Sequence, residues 1–253
     1  MALSPPFWGL KIVDIQVSDL LKHLDKSTLY QARWKYEKGN LETSEHKRIL
    51  REKADPALDQ LLKLDANRKI FAPKATYGYF RCRSSGDSLE LFDAESASIG
   101  VFSFPRQSQK PRLCIVDYFS SIDGDFIALW LATIGEKASK YAAKLYKQNE
   151  YLQYHLFHGL AVELAECGAK YLQSLITGEI SESSPGIGTK KIKSLRFSFG
   201  FPSCPDLNNQ KILLNILRAD KIKVALTETC QMVPEQSVSG FLVFHPDAKY
   251  FIP

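Results

Sequence analysis

Two hydrophobic periods divide this chain into blocks. A helical period runs through residues 155–176, where Leu156, Leu160, Leu164, Gly168, Leu172 and Leu175 form one stripe, and it predicts a long amphipathic helix. Further helices are predicted over 137–148, over 17–24 with Ser18 as N-cap, and over 44–64, where Pro56 should kink or split a charged segment. β-Branched and aromatic runs predict strands instead at 76–82, 89–92, 99–104, 113–118 and 126–133, with SSGDS at 84–88 as a hairpin loop. Residues 177–189, TGEISESSPGIGT, read as a loop or hinge, and after them come a helix near 209–218 and strands near 222–226 and 238–244. Short strands joined by short loops, without regular βα alternation, predict an α+β class built on an antiparallel sheet.

Composition narrows the function classes. With 253 residues, 45% hydrophobic and 24% charged, the chain can bury a full core as one large domain or two small ones. The net charge of +5 is mild, and Lys and Arg are scattered among 28 acidic residues, which argues against nucleic-acid binding. Cys82, Cys114, Cys167, Cys204 and Cys230 are widely spaced with no CxxC pair, a pattern of reduced thiols in a cytoplasm. The longest apolar stretch, 126–134, falls far short of the ~20 residues that a membrane span needs. His155 and His158 lie three apart on the predicted helix, but no carboxylate or Cys at useful spacing completes a metal site. SPGIGTKK lacks the spacing of a phosphate-binding loop, and Ser237 and Ser239 lack the glycine two residues before a nucleophile elbow.

The most informative stretch is residues 196–205, RFSFGFPSCP, where one permanent cation precedes Gly200 by four residues in an apolar loop fixed by Pro202 and Pro205. A guanidinium beside exposed backbone groups suits a planar carboxylate joined to a flat heterocycle. The residues alone leave a second reading open, an Arg paired with a structural Asp or Glu beside a tight turn.

The same residues, extended to RFSFGFPSCPDLNNQ, resemble the S-adenosylmethionine-binding signature of the activation domain of cobalamin-dependent methionine synthase. Further segments agree in order, from PPFWG (5–9), RWKYEKG (33–39), YGYF (77–80) and FPRQ (104–107) through YHLFHGLAVELAE (154–166) to LTET (226–229), PEQSVSG (234–240) and HPDAKYF (245–251). The resemblance implies a single domain over 1–253, a twisted antiparallel sheet with flanking helices, and S-adenosylmethionine as ligand. Residue by residue it implies Asp25 against the ligand's ammonium and sulfonium charges, Glu166 as a helix carboxylate of the site, and Arg196 on the ligand's carboxylate. It further implies Ser198 and Gly200 as donors of backbone groups, Phe201 as a packing ring, and Tyr250 with Phe251 flanking the nucleoside. Three positions depart from the family pattern: Phe201 stands for a Tyr, Lys190 for an acidic residue, and Val162 for a helix Asp.

The function so implied is reactivation. Cobalamin on a partner domain or chain, oxidised to its inactive cob(II) state, would be methylated from S-adenosylmethionine with an electron from a flavodoxin-type protein. The cobalt-ligating Asp-x-His-x-x-Gly motif does not occur here, so this chain is not expected to hold cobalamin itself. The resemblance begins close behind Met1, which makes an excised domain or a separate subunit the expectation. Two other readings stay open: a stand-alone S-adenosylmethionine-binding or corrinoid-docking module without turnover, and a methyltransferase for another substrate.

Overall fold

The twelve residues of one strand, Lys74–Ser85, organise the sheet. The computed structural model describes residues 3–122, 124–184 and 192–253. In chain order the elements are β1 (Gly9–Asp14), α1 (Val17–Leu21), α2 (Thr43–Ile49), α3 (Asp55–Arg68), β2 (Lys74–Ser85), β3 (Ser88–Phe92), β4 (Ser98–Ser103) and β5 (Asp125–Thr133). Then follow α4 (Glu136–Lys147), α5 (Tyr151–Ser183), β6 (Leu195–Phe197), α6 (Asn209–Ile216), β7 (Ala225–Leu226), β8 (Met232–Val233) and β9 (Ser237–Val243). β2 is long enough to share one edge between two partners, β1 opposite residues 74–79 and β3 opposite 81–85, while β5 runs along its other edge. The result is a seven-stranded, antiparallel sheet in the order β4-β3-β2-β5-β9-β6, with β1 beside β2. β7 and β8 form a separate two-stranded sheet.

Strand alternation sends side chains to two cores, because both faces of the sheet are covered. Along β5, Ala128, Trp130 and Ala132 face α5 and the N-terminal helices, and Ile127, Leu129 and Leu131 face the opposite core with α6. This explains why FIALWLAT is apolar without alternation. In α5, Leu160, Leu164 and Leu172 are fully buried, as the stripe predicts.

Several expectations meet a different local structure. α5 does not stop at 176: it continues through Thr177 and Gly178 to Ser183 because Ile180 extends the buried stripe and Glu179 accepts hydrogen bonds from Tyr77 and Tyr79 Oη, each at 2.8 Å. The remainder of the expected loop, 185–189, and Lys190 lie outside the described residues. Residues 113–118 are a 3-10 turn at Ile115–Tyr118 rather than a strand, since the Asp117 carboxylate accepts the Cys114 N–H and is gripped by the Arg106 fork. Only Ala225–Leu226 of the expected strand at 222–226 is extended. The first helix starts after Gln16, not Ser18, and the segment 44–64 divides at a π-helical stretch, Leu50–Ala54, leaving Pro56 in the first turn of α3 where its missing N–H costs nothing.

Candidate functional site

The site is built where the short edge strand β6 meets α5. Arg196 stands opposite Leu242 in register, and residues directly opposite share a face of the sheet, so its side chain rises on the side that α5 covers. There its Nη2 lies 3.6 Å from Glu166 Oε2, an ion pair too long for a hydrogen bond. Its Nη1 is buried and has no hydrogen-bond partner among the described residues. The guanidinium carbon is 5.9 Å from the Trp130 ring, whose own Nε1 is likewise buried and unpartnered. Gly240 makes this approach feasible: it pairs with Trp130 across β5 and β9, and a Cβ there would stand 2.7 Å from Trp130 Cζ2, 3.0 Å from Ser198 Oγ and inside the Phe197 carbonyl oxygen.

After β6 the chain folds on itself in a tight loop. Gly200, at φ +98°, donates its N–H to Cys204 O (2.9 Å), Phe201 N–H goes to Ser198 O (3.1 Å), and Cys204 N–H to Phe201 O (2.9 Å). The Cys204 thiol also donates to Ser198 O at 3.1 Å, and burial pushes its pKa up to about 12, so it ties the loop and does not react. Phe199 pins the loop to the sheet between Phe102 and Phe241, at ring distances of 5.1 and 5.5 Å. The amides of Gly200 and Phe201 are thus spent within the loop.

The C-terminal tail returns to the same strand. Tyr250 Oη donates to the Arg196 carbonyl at 2.8 Å, and its ring meets Phe197 edge-on at 5.3 Å. Burial raises the Tyr250 phenol and the Arg196 charge pulls it the other way. Phe201, Pro202, Ser203, Tyr250, Phe251 and Ile252 line an open, largely apolar cavity of about 410 Å³. Gln107 of the FPRQ segment holds its far wall, donating to Ile252 O at 2.6 Å.

Asp25 lies apart from this cluster and forms no ion pair with Arg196. It is exposed, and its carboxylate accepts the Thr28 hydroxyl at 2.7 Å and the Ser27 N–H at 2.9 Å; the Thr28 bond first holds its pKa below the ordinary range. Asp25 therefore caps the turn that follows. Burial pushes the Cys167 thiol on α5 up to about 12, and the negative charges of Glu163, Glu166 and Asp25 raise it further while Lys170 lowers it.

A sequence model of the family "Vitamin B12 dependent methionine synthase, activation domain" matches residues 16–252. The chain belongs to that family. Methionine synthase of Mycobacterium tuberculosis (strain ATCC 25618 / H37Rv) is 30% identical over 274 residues, covering 98% of this chain and 23% of the relative, and that of Mycobacterium leprae (strain TN) is 30% identical over 276 residues with the same coverage. The chain thus spans about a quarter of the length of these relatives. A crystal structure of the MetH reactivation domain bound to AdoHcy superposes with a TM-score of 0.83 at 24% identity, over 98% of this chain and 82% of that one. The α+β fold, an antiparallel sheet with flanking helices, is that of this neighbour.

Within this activation domain the structure brings Arg196, Glu166, Ser198, Gly200, Phe201, Tyr250 and Phe251 to one edge of the sheet, and Asp25 stands outside that group. Glu166 is half-exposed on α5, within reach of the Arg196 charge. Val162 sits one turn before it, half-buried. Sequence reasoning missed Trp130, which resembles any apolar residue of a central strand, and Gly240, whose only signal was its place in PEQSVSG. Other family segments are anchors. Arg33 Nε pairs with the buried Glu163 at 3.3 Å, Trp34 Nε1 donates to Leu156 O at 2.9 Å, and Gly159 makes room for the Trp34 ring, so RWKYEKG clamps the N-terminal segment to α5. Among the described residues no group of three His, Cys, Asp or Glu could hold a metal, and no helix is long and apolar enough to cross a membrane.

Proposed function

We propose that this domain binds S-adenosylmethionine beside Arg196 and supports the reductive methylation of cob(II)alamin carried by another module of a cytoplasmic methionine synthase, a flavodoxin-type protein giving the electron. The observation that carries this reading is the buried Nη1 of Arg196 without an acceptor. A guanidinium cannot lose its charge, so a buried, unpaired N–H on it is costly until an anionic oxygen arrives. The fit extends to the rest of the ligand. Glu166, 3.6 Å from the guanidinium, suits the ammonium of an α-amino acid head, and the cavity between Phe201, Tyr250 and Phe251 offers apolar walls to a flat base. The family resemblance gives Asp25 the part of a fixed negative charge toward the ligand's ammonium and sulfonium.

When bound, S-adenosylmethionine supplies a methyl group on a positively charged sulfur for the partner module's cobalamin to accept. The work of this chain would be orientation: Arg196 and Glu166 would hold the α-amino acid head on a rigid edge strand and helix, and Phe201, Tyr250 and Phe251 would hold the base. Calorimetry with S-adenosylmethionine tests the reading, with micromolar affinity expected, roughly −8 kcal/mol, and little for ATP. No heat at high ligand concentration would sink it. Methyl transfer to reduced cobalamin on a methionine synthase cobalamin module then separates a reactivating domain from a binding module without turnover.

A further inference from the structure

Two of the buried side-chain donors that lack a hydrogen-bond partner among the described residues are neighbours: Arg196 Nη1 and Trp130 Nε1. The indole is 1% exposed and its ring centre stands 5.9 Å from the guanidinium carbon, on the same face of the sheet. The other two tryptophans differ. Trp34 gives its N–H to Leu156 O, and Trp8 is 38% exposed to water. A strand tryptophan filling the core needs no orphaned donor, since Phe would fill the same space without desolvating an N–H. Its placement is also costly in local design, because it depends on a glycine at 240 whose Cβ would collide with Cζ2 and with the β6 backbone.

Resting on the ligand reading above, we infer that Trp130 is a second recognition donor for that ligand: its indole N–H and Arg196 Nη1 together receive the carboxylate of the α-amino acid head, while Glu166 faces the ammonium. An indole N–H only donates, so this pair discriminates in favour of an acceptor-only group. The ring face meanwhile steadies the guanidinium by a cation–π contact. Glu166, so close to Arg196, disfavours a multiply charged phosphate and favours a zwitterion.

The test compares S-adenosylmethionine with its decarboxylated analogue, which keeps the sulfonium and ammonium and lacks only the carboxylate. Trp130→Phe retains an aromatic body and should weaken S-adenosylmethionine about tenfold while leaving the analogue within about twofold. A second measurement needs no substitution: the protein has three tryptophans, and of their indole 15N–1H resonances that of Trp130 should move downfield with S-adenosylmethionine and stay in place with the analogue. An equal loss for both ligands in Trp130→Phe, or a Trp130 resonance that S-adenosylmethionine does not move, overturns the inference and leaves the ligand reading standing. No binding by the unsubstituted protein removes both.

Discussion

Glu166 Oε2 on α5 lies 3.6 Å from Arg196 Nη2 on β6, close enough to attract and too far to bond. Thirty residues of sequence separate the two, and the fold pairs a half-exposed helix carboxylate with an edge-strand guanidinium. A bidentate salt bridge would use two guanidinium nitrogens. This one leaves Nη1 buried without an acceptor.

Arg196→Ala should therefore weaken S-adenosylmethionine by about 2 kcal/mol or more, because the ligand carboxylate loses a charge-assisted partner in a partly desolvated site. Arg196→Lys should restore little, since a single ammonium cannot reproduce the fork. Calorimetry alongside a thermal melt decides the matter: a folded Arg196→Ala protein of unchanged affinity would make the arginine structural.

Asp25 separates two roles by charge. If its carboxylate serves the sulfonium, Asp25→Asn should weaken S-adenosylmethionine more than S-adenosylhomocysteine, which keeps the ammonium but has a neutral thioether. An Asn keeps an oxygen for the Ser27 N–H, and its NH2 can donate to a reversed Thr28 hydroxyl in place of the second bond, so stability should shift by only a few tenths of a kcal/mol. Unchanged affinity for both ligands would leave Asp25 with its capping role alone.

Gly240 carries a steric requirement. Gly240→Ala puts a methyl group against Trp130 Cζ2 and the Phe197 carbonyl, and the latter is backbone that β6 pairing holds in place. Overpacking of this kind should cost about 1–3 kcal/mol in denaturant unfolding, with ligand affinity falling as β6 shifts. A variant as stable as the parent would show that β6 does not pack on β9 this closely.

The Arg106–Asp117 pair should give a pH signature remote from the site. Two 2.8 Å bonds from Arg106 first, then the Cys114 N–H, hold the Asp117 pKa below the ordinary carboxylate range. A depressed folded pKa means that the stabilisation is present above the unfolded value, about 4, and disappears as pH falls through the folded one. Asp117→Asn should accordingly lose about 1 kcal/mol at neutral pH, discounted for the partial exposure of the pair, and the gap from the parent should narrow below about pH 4. A gap that does not change with pH would exclude the ionic origin.

Local chemistry fixed much of this molecule in advance. The Leu stripe determined α5, the apolar runs determined β2, β3, β4, β5 and β9, Gly86 and Asp87 determined the first hairpin, and Gly200 with two prolines determined that residues 198–205 turn back on themselves. These features depend on neighbours within a few residues, where periodicity and backbone preference act. Tertiary structure decided the rest. α5 runs past Gly178 because two tyrosines on β2 offer hydroxyls to Glu179, about a hundred residues away; residues 115–118 wind into a turn because Arg106 reaches Asp117. Above all, Trp130 meets Arg196, and Arg196 meets Glu166, only because β5, β9 and β6 lie side by side under α5. Strand order is set by the summed burial of two cores, a global quantity that no short window of sequence contains.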